Sequence, residues 1–248
     1  MWEDILLFIA IGFAAQMIDG AIGMAYGLTS TSILLSLGIP PATASACVHA
    51  AETFTTAVSG FSHWKFGNVD WRLVRRLAIP GAIGGGIGAY VLSNIDGNVI
   101  KPYIAAYLIF MGLFILWKAF RTTTEHSTAP PKHVAPLGFF GGLVDSIGGG
   151  GWGPIVTTTL IGSGTVPRFA IGSVNLTEFF VTLTISATFM LTIGLDLFPI
   201  ILGLIVGGVI AAPFAAYATK HLPAKVLMIA VGLVIVSLSV RTIWIALH

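Results

Sequence analysis

One cysteine in 248 residues, Cys47, excludes an intrachain disulfide framework and any metal site built from several thiolates. Charge is nearly as scarce: Asp, Glu, Lys and Arg make up 9% of the chain, against about 25% in a soluble domain. A net charge of +2 is too small to mark a nucleic-acid binder. The loops are short, so no appended soluble domain is expected. The first apolar run follows Glu3 and Asp4 rather than a basic segment, and no small-residue cleavage site stands out, so no cleavable signal peptide is expected. The HExxH and P-loop patterns are missing, and nothing resembling a GxGD protease motif surrounds Asp145. An intramembrane aspartyl protease using Asp19 and Asp145 is therefore disfavoured, and no enzyme, cofactor or metal is expected. What is abundant is apolar: 56% hydrophobic residues and a mean hydropathy of +0.94. This composition predicts an all-α polytopic membrane protein.

The chain repeats itself at an offset of 126 residues, without a gap, from Gly12 to Gly60. Asp19 aligns with Asp145, Gly23 with Gly149, Gly27 with Gly153, Thr31 with Thr157, Pro41 with Pro167 and Glu52 with Glu178. Carboxylates in register within apolar segments point to a transporter built from two related halves.

In each half two short apolar segments come first, 5–18 and 21–37, then 137–147 and 152–162. They are separated at Asp19-Gly20 and at the glycine run 148–151. About 20 residues are needed to cross the hydrocarbon core, so each pair reads as a hairpin that dips in and returns. Its free backbone groups are tolerable only inside protein or beside water. Three full spans follow in each half: 41–63, 73–93 and 102–120, then 168–193, 198–218 and 225–246. The halves are assigned as 1–120 and 137–248, joined by a polar linker, 121–136. Lys65, Arg72, Arg75 and Arg76 place the 64–76 loop in the cytoplasm, with Lys118, Arg121 and Lys132 on the same side. The counterpart of the 64–76 loop, Gly194–Asp196, has no base, whereas Lys220 and Lys225 flank a loop whose counterpart, Asn94–Lys101, is not basic. Equivalent loops thus fall on opposite sides. The expected fold is two inverted-topology repeats, each a re-entrant-like hairpin plus three spans, with both termini outside. Five thin crossings per half satisfy the same charges.

Asp19, His49, Glu52, Asp145 and Glu178 sit in or beside apolar segments. A charge at mid-bilayer costs about 2.5–3.5 kcal/mol on insertion scales, so each needs a partner, water or a proton. The aspartates can cap helix starts in their hairpins. The glutamates can hydrogen-bond between helices, carry protons or organise a site. His49 and Glu52 share a helix face, as do Asn175 and Glu178, so His and Asn could offer donors to an anion from either side of a pseudo-twofold axis. Helix N-termini carry about +0.5 charge and free N–H groups. Two facing glycine-rich tips therefore make a candidate anion site near the midplane, formed by Gly20 and Gly23 with Gly148, Gly149, Gly150 and Gly151. Thr31 and Thr157 could add hydroxyl donors. Close packing is the alternative use of these small residues. No Lys or Arg falls clearly inside a span.

The glycine-rich hairpins DGAIGMAYG and DSIGGGGWGP, with the spans PPATASACVHAAETF and VPRFAIGSVNLTEFF that follow them, resemble the sulfite exporter TauE/SafE (TSUP) family over nearly the whole chain. The first hairpin departs from the pattern, with AIGMAYG in place of a polyglycine tip. The resemblance implies a carrier of small sulfur-containing anions, such as sulfite, thiosulfate or organosulfonates like sulfoacetate, in the bacterial cytoplasmic membrane. Export is the expected direction. Uptake would need H⁺ or Na⁺, and an anion channel is the rival mechanism.

Overall fold

The computed structural model describes residues 4–22, 24–120, 133–194, 198–221 and 224–247. The described residues are almost entirely helical. Three of their helices contain stretches long and apolar enough to cross a membrane: Gly97–Ala119, Pro167–Ile193 and Met228–Ile245. Leu6, Phe54, Val58, Ile79, Phe110 and Leu191 lie exposed on the outside of the bundle, which suits a lipid environment.

The first half comprises α1 (Ile5–Ile22), α2 (Tyr26–Ser36), α3 (Pro41–Lys65), α4 (Trp71–Ser93) and α5 (Gly97–Ala119). The second has α6 (Val134–Gly148), a π-helical turn (Gly153–Thr157) continuing into α7 (Thr158–Gly162), then α8 (Pro167–Ile193), α9 (Phe198–His221) and α10 (Ala224–Leu247). Every expected segment is present, with shifted boundaries: α2 begins at Tyr26 rather than 21, and α5 at Gly97, inside the expected Asn94–Lys101 loop. Asp19-Gly20 does not stop the first helix, which runs on to Ile22. The Asp19 carboxylate accepts from the Tyr26 amide instead, so it serves the helix that follows without ending its own. Residues 134–136, read as linker, open α6, where Pro136 is tolerated in the first turn because its missing N–H has no intrahelical partner to lose. The rest of that linker, 121–132, lies outside the described residues.

α2 has 11 residues, a rise of about 16 Å, half of a hydrocarbon core of about 30 Å. Its neighbours show where it leads. A Cβ on Gly97 would lie 3.3 Å from Pro41, and Gly203 packs on Ile5 and Phe8. Ser93 and Thr192 hydroxyls are 2.8 Å apart. The start of α1 and the exit from α2 therefore sit at the same end of the bundle. At the opposite end Gly138 packs on Leu77, Gly172 on Asn68, and Ser173 Oγ accepts from the Asp70 amide at 2.8 Å. The starts of α6 and α8 belong there.

Packing is reciprocal between the halves. α1 lies along α9, and its counterpart α6 along α4. Equivalent helices also pair with each other. α3 and α8 run antiparallel, with Thr53 beside Ser186 and Gly60 against Leu176. α5 and α10 do the same, with Gly112 facing Val236 and Gly232 facing Leu116. The glycines of α4 permit the closest approach. A Cβ at Gly84 would meet the Phe139 carbonyl, and one at Gly142 would meet the Gly81 carbonyl. This is small-residue packing of the kind that lets two backbones touch.

The direction of Gly86 separates packing from propensity. Its nearest neighbour to an added Cβ is a Thr184 methyl at 3.5 Å. Gly84→Ala is expected to lower the thermal stability of the detergent-purified protein by about 1–3 kcal/mol. Gly86→Ala should leave it unchanged or raise it by up to about 1 kcal/mol. Equal effects in the two variants would show that α4 and α6 are not in backbone contact.

Candidate functional site

The two hairpins meet at their tips. In the second, Gly149 has φ +67°, Gly150 +153° and Gly151 +147°. In the first, Ala25 has φ +125° at the position equivalent to Gly151, so the departure from polyglycine keeps the backbone shape and holds a non-glycine residue in a sparsely populated region. A Cβ on Gly150 would enter the Gly27–Leu28 peptide, and one on Gly149 would strike Thr31. The Thr31 hydroxyl donates to the Gly149 carbonyl, and Tyr107 of α5 donates to the Gly150 carbonyl at 2.8 Å. Gly148 packs against the same tyrosine ring.

Each tip is tied by its aspartate in the same way. Asp19 Oδ1 accepts from the Tyr26 amide at 3.3 Å, and Asp145 Oδ1 from the Trp152 amide at 2.8 Å. Both bonds reach seven residues ahead. The Asp145 carbonyl also accepts from the Gly150 amide at 3.0 Å. The capping role expected of these residues is present, but from the preceding helix rather than from the position next to the helix start. Glu52 reaches the same tip: a Cβ on Gly27 would lie 3.1 Å from its Oε1, while its Oε2 is buried with no hydrogen-bond partner. Amides at both helix starts thus face the chain's own carboxylates.

Beside this contact lies a small cavity of about 30 Å³, room for one or two ordered waters. Asp19, Glu52, Asp145, Gly151, Asn175 and Glu178 line it. Thr31 and Gly148–Gly150 lie in the contact between hairpins, His49 sits behind Asp145 at 3.2 Å, and Thr157 is buried at the end of the π-helical turn. Gly20 is in α1. Gly23 lies outside the described residues.

Other residues at the cavity carried weaker signals. Tyr26 and Gly27 line it because they open α2. Thr55 and Thr56 line it as well, one turn beyond Glu52 on the same face of α3. Thr56 pairs with Thr182 in the repeat, a match that could have flagged it. Two cations reach further in than expected. Lys118 Nζ donates to Thr158 Oγ1 at 2.9 Å and touches Met24 Sδ at 3.4 Å. Arg241 donates to the Ser36 carbonyl at 2.6 Å, at the negative end of α2. Neither makes an ion pair with the four cavity carboxylates, which have no Lys or Arg partner among the described residues.

A second, larger polar space of about 210 Å³ shares Asp19, Thr55, Thr56 and Asn175 with the cavity. It extends past Ser59 to His63, near the α3–α4 loop.

The sequence pattern described as "Sulfite exporter TauE/SafE" matches residues 8–242. The chain belongs to this family. Along 98% of its length it is 42% identical to a Bacillus subtilis (strain 168) protein named "Probable membrane transporter protein YtnM", covering 85% of that relative. No solved structure matches. Membership in the TauE/SafE family makes this a membrane transporter, and the bundle with broken hairpins is its architecture.

The tip contact makes a quantitative expectation. Gly38 has φ +89° and open space where a Cβ would go, so Gly38→Ala carries backbone strain alone, about 1 kcal/mol. Gly150→Ala adds a collision with backbone and should cost about 2–4 kcal/mol, read as loss of thermal stability. Equal costs at the two positions would place the tips out of contact.

Proposed function

We propose that this TauE/SafE protein is a secondary carrier, and an exporter by direction, for a small sulfur-containing anion such as sulfite or an organosulfonate of the sulfoacetate type. The anion binds near the middle of the bacterial cytoplasmic membrane, between the two hairpin tips. The observation that carries this reading is the meeting of Gly27–Leu28 with Gly149–Gly150 beside a polar cavity. Helix starts there present amides to negative groups. Glu52, beside Gly27 at the start of α2, occupies the place an anion would take. On this reading the substrate competes with that carboxylate.

The antiparallel pairing of α3 with α8 and of α5 with α10 supports inverted repeats, because equivalent helices related by an axis along the membrane normal would run parallel. The shared end of α1 and α2 supports re-entrant hairpins over five crossings per half. With the basic 64–76 loop inside the cell, both termini face outward, and the polar space reaching His63 opens to the cytoplasm. Spaces near the other end are apolar, lined by Ala46, Ala50, Leu183 and Ile201 on one side and by Ile100, Tyr103 and Ile104 on another. A polar space toward one end with apolar spaces at the other supports a carrier over a channel.

A proteoliposome assay of sulfite, thiosulfate, sulfoacetate and taurine tests the reading. Saturable flux with counterflow is expected for at least one anion of the set; non-saturating conductance would make the protein a channel. Glu52→Gln is expected to tighten binding of the transported anion, since the competing charge is gone. Weaker binding would mean that the anion does not use the Gly27 amide.

A further inference from the structure

His49 is fully buried on α3. Its Nδ1 lies 2.8 Å from the Ser45 carbonyl oxygen and 3.2 Å from Ser45 Oγ. A carbonyl oxygen only accepts. The Ser45 hydroxyl spends its one proton on the Ser146 carbonyl at 2.6 Å, so toward the ring it too can only accept. Nδ1 therefore carries a hydrogen. Nε2 then faces Asp145 Oδ2 at 3.2 Å. A neutral ring protonated at Nδ1 has a bare lone pair at Nε2, and an ionised carboxylate offers only lone pairs. The two attract only with a proton between them. Imidazolium with carboxylate and imidazole with carboxylic acid are the two ways to place it. Both have zero net charge; loss of the proton leaves the pair at −1.

We propose that His49 and Asp145 together bind one proton, and that this proton must be in place for the anion to occupy the neighbouring cavity. The inference rests on the anion reading above. Around the pair, α1 contributes Asp19, α3 Glu52 and α8 Glu178 to the same cavity. From α5 Tyr107 donates to Gly150, and from α2 Tyr26 lines the cavity. α4 meets α6 through glycines, with Arg72, Arg75 and Arg76 at its far, loop-side start. Among the described residues no lysine or arginine pairs with these carboxylates. An anion entering beside an unprotonated pair meets one more uncompensated negative charge in a poorly hydrated space. With the proton bound, that charge is gone.

The site is single. The repeat puts Asn175 where His49 stands, and Asn175 uses its amide on the Ile171 carbonyl at 3.0 Å and accepts from Ser59 at 2.9 Å. Among the described residues Asp19 has no imidazole partner. A route for the proton is present too, because Asp145 lines the cavity and the cavity borders the polar space leading to His63. Asp145 Oδ1 holds the Trp152 amide, so the proton-binding carboxylate is also the one that fastens the second hairpin.

The proton is read directly by NMR of ring-nitrogen-labelled histidine in the detergent-purified full chain, with His49 assigned through His49→Gln. Nδ1 should stay protonated throughout, and the His49 Nε2 signal should make one transition as the pH is raised. Asp145→Asn, which keeps an oxygen for the Trp152 amide, should remove it, and Glu52→Gln should not. A His49 signal with no transition, one that survives Asp145→Asn, or one that vanishes in Glu52→Gln overturns the proposal. Radiolabelled thiosulfate, which does not titrate near neutrality, supplies the second readout in proteoliposomes. Its half-saturation should rise by up to about tenfold per pH unit above the transition, because the bound proton is lost as pH rises. In Asp145→Asn the dependence should be flat whatever the absolute rate. Equal pH slopes in the two proteins overturn the coupling. If the wild type carries no anion of the set, the anion reading falls, and the NMR transition still decides the proton site.

Discussion

A helix broken inside an apolar bundle leaves amides that water cannot reach, and the rest of this structure is arranged around answering them. Each unanswered group would cost several kcal/mol in a hydrocarbon setting. Asp19 and Asp145 reach seven residues forward to the first amides of the returning helices, and Glu52 crosses from α3 to the tip beside Gly27. The carboxylates are in turn expensive to bury. They are tolerated because the amides, His49 and the cavity receive them. Backbone break and buried acid each remove the other's penalty, which is why the repeat carries them together.

This mutual dependence explains the packing. The tips can face each other only if α3 and α8, which bear the glutamates, cross at the centre with small or hydroxylated residues between them. Gly60 against Leu176 and Thr53 beside Ser186 meet that requirement. The first helix of each hairpin then needs a groove, and the glycines of α4 and α9 supply it to α6 and α1. Among the described residues the one non-glycine with positive φ, Ala25, sits at a tip.

The two halves are not chemically identical. Position 49 is histidine and its counterpart Asn175 is an amide, so among the described residues Asp145 has an imidazole partner and Asp19 has none. The hairpins differ as well: the first enters α2 directly, while the second passes through a π-helical turn before α7. The polar space beside α3 extends toward the α3–α4 end of the bundle.

Much of this was legible in the residues. Hydropathy and the 126-residue repeat specified a helical membrane bundle, the order of its segments and the carboxylates at its centre, because burial of a charge and breakage of an apolar run leave marks that no other constraint reproduces. The glycine runs marked where backbones touch. What the linear order could not contain was which group answers which. Gly20 reads as a helix stop, yet α1 continues past it to Ile22, packed along α9 from the far end of the chain. Lys118 reads as an interfacial end and instead meets Thr158 and Met24. The tautomer of His49 depends on Ser45 being engaged by Ser146, a contact made only when α3 meets α6. Local sequence decides where helices form and fail; the pairing of amides, acids and protons across halves is a property of the folded bundle, since each such bond joins residues far apart in the chain.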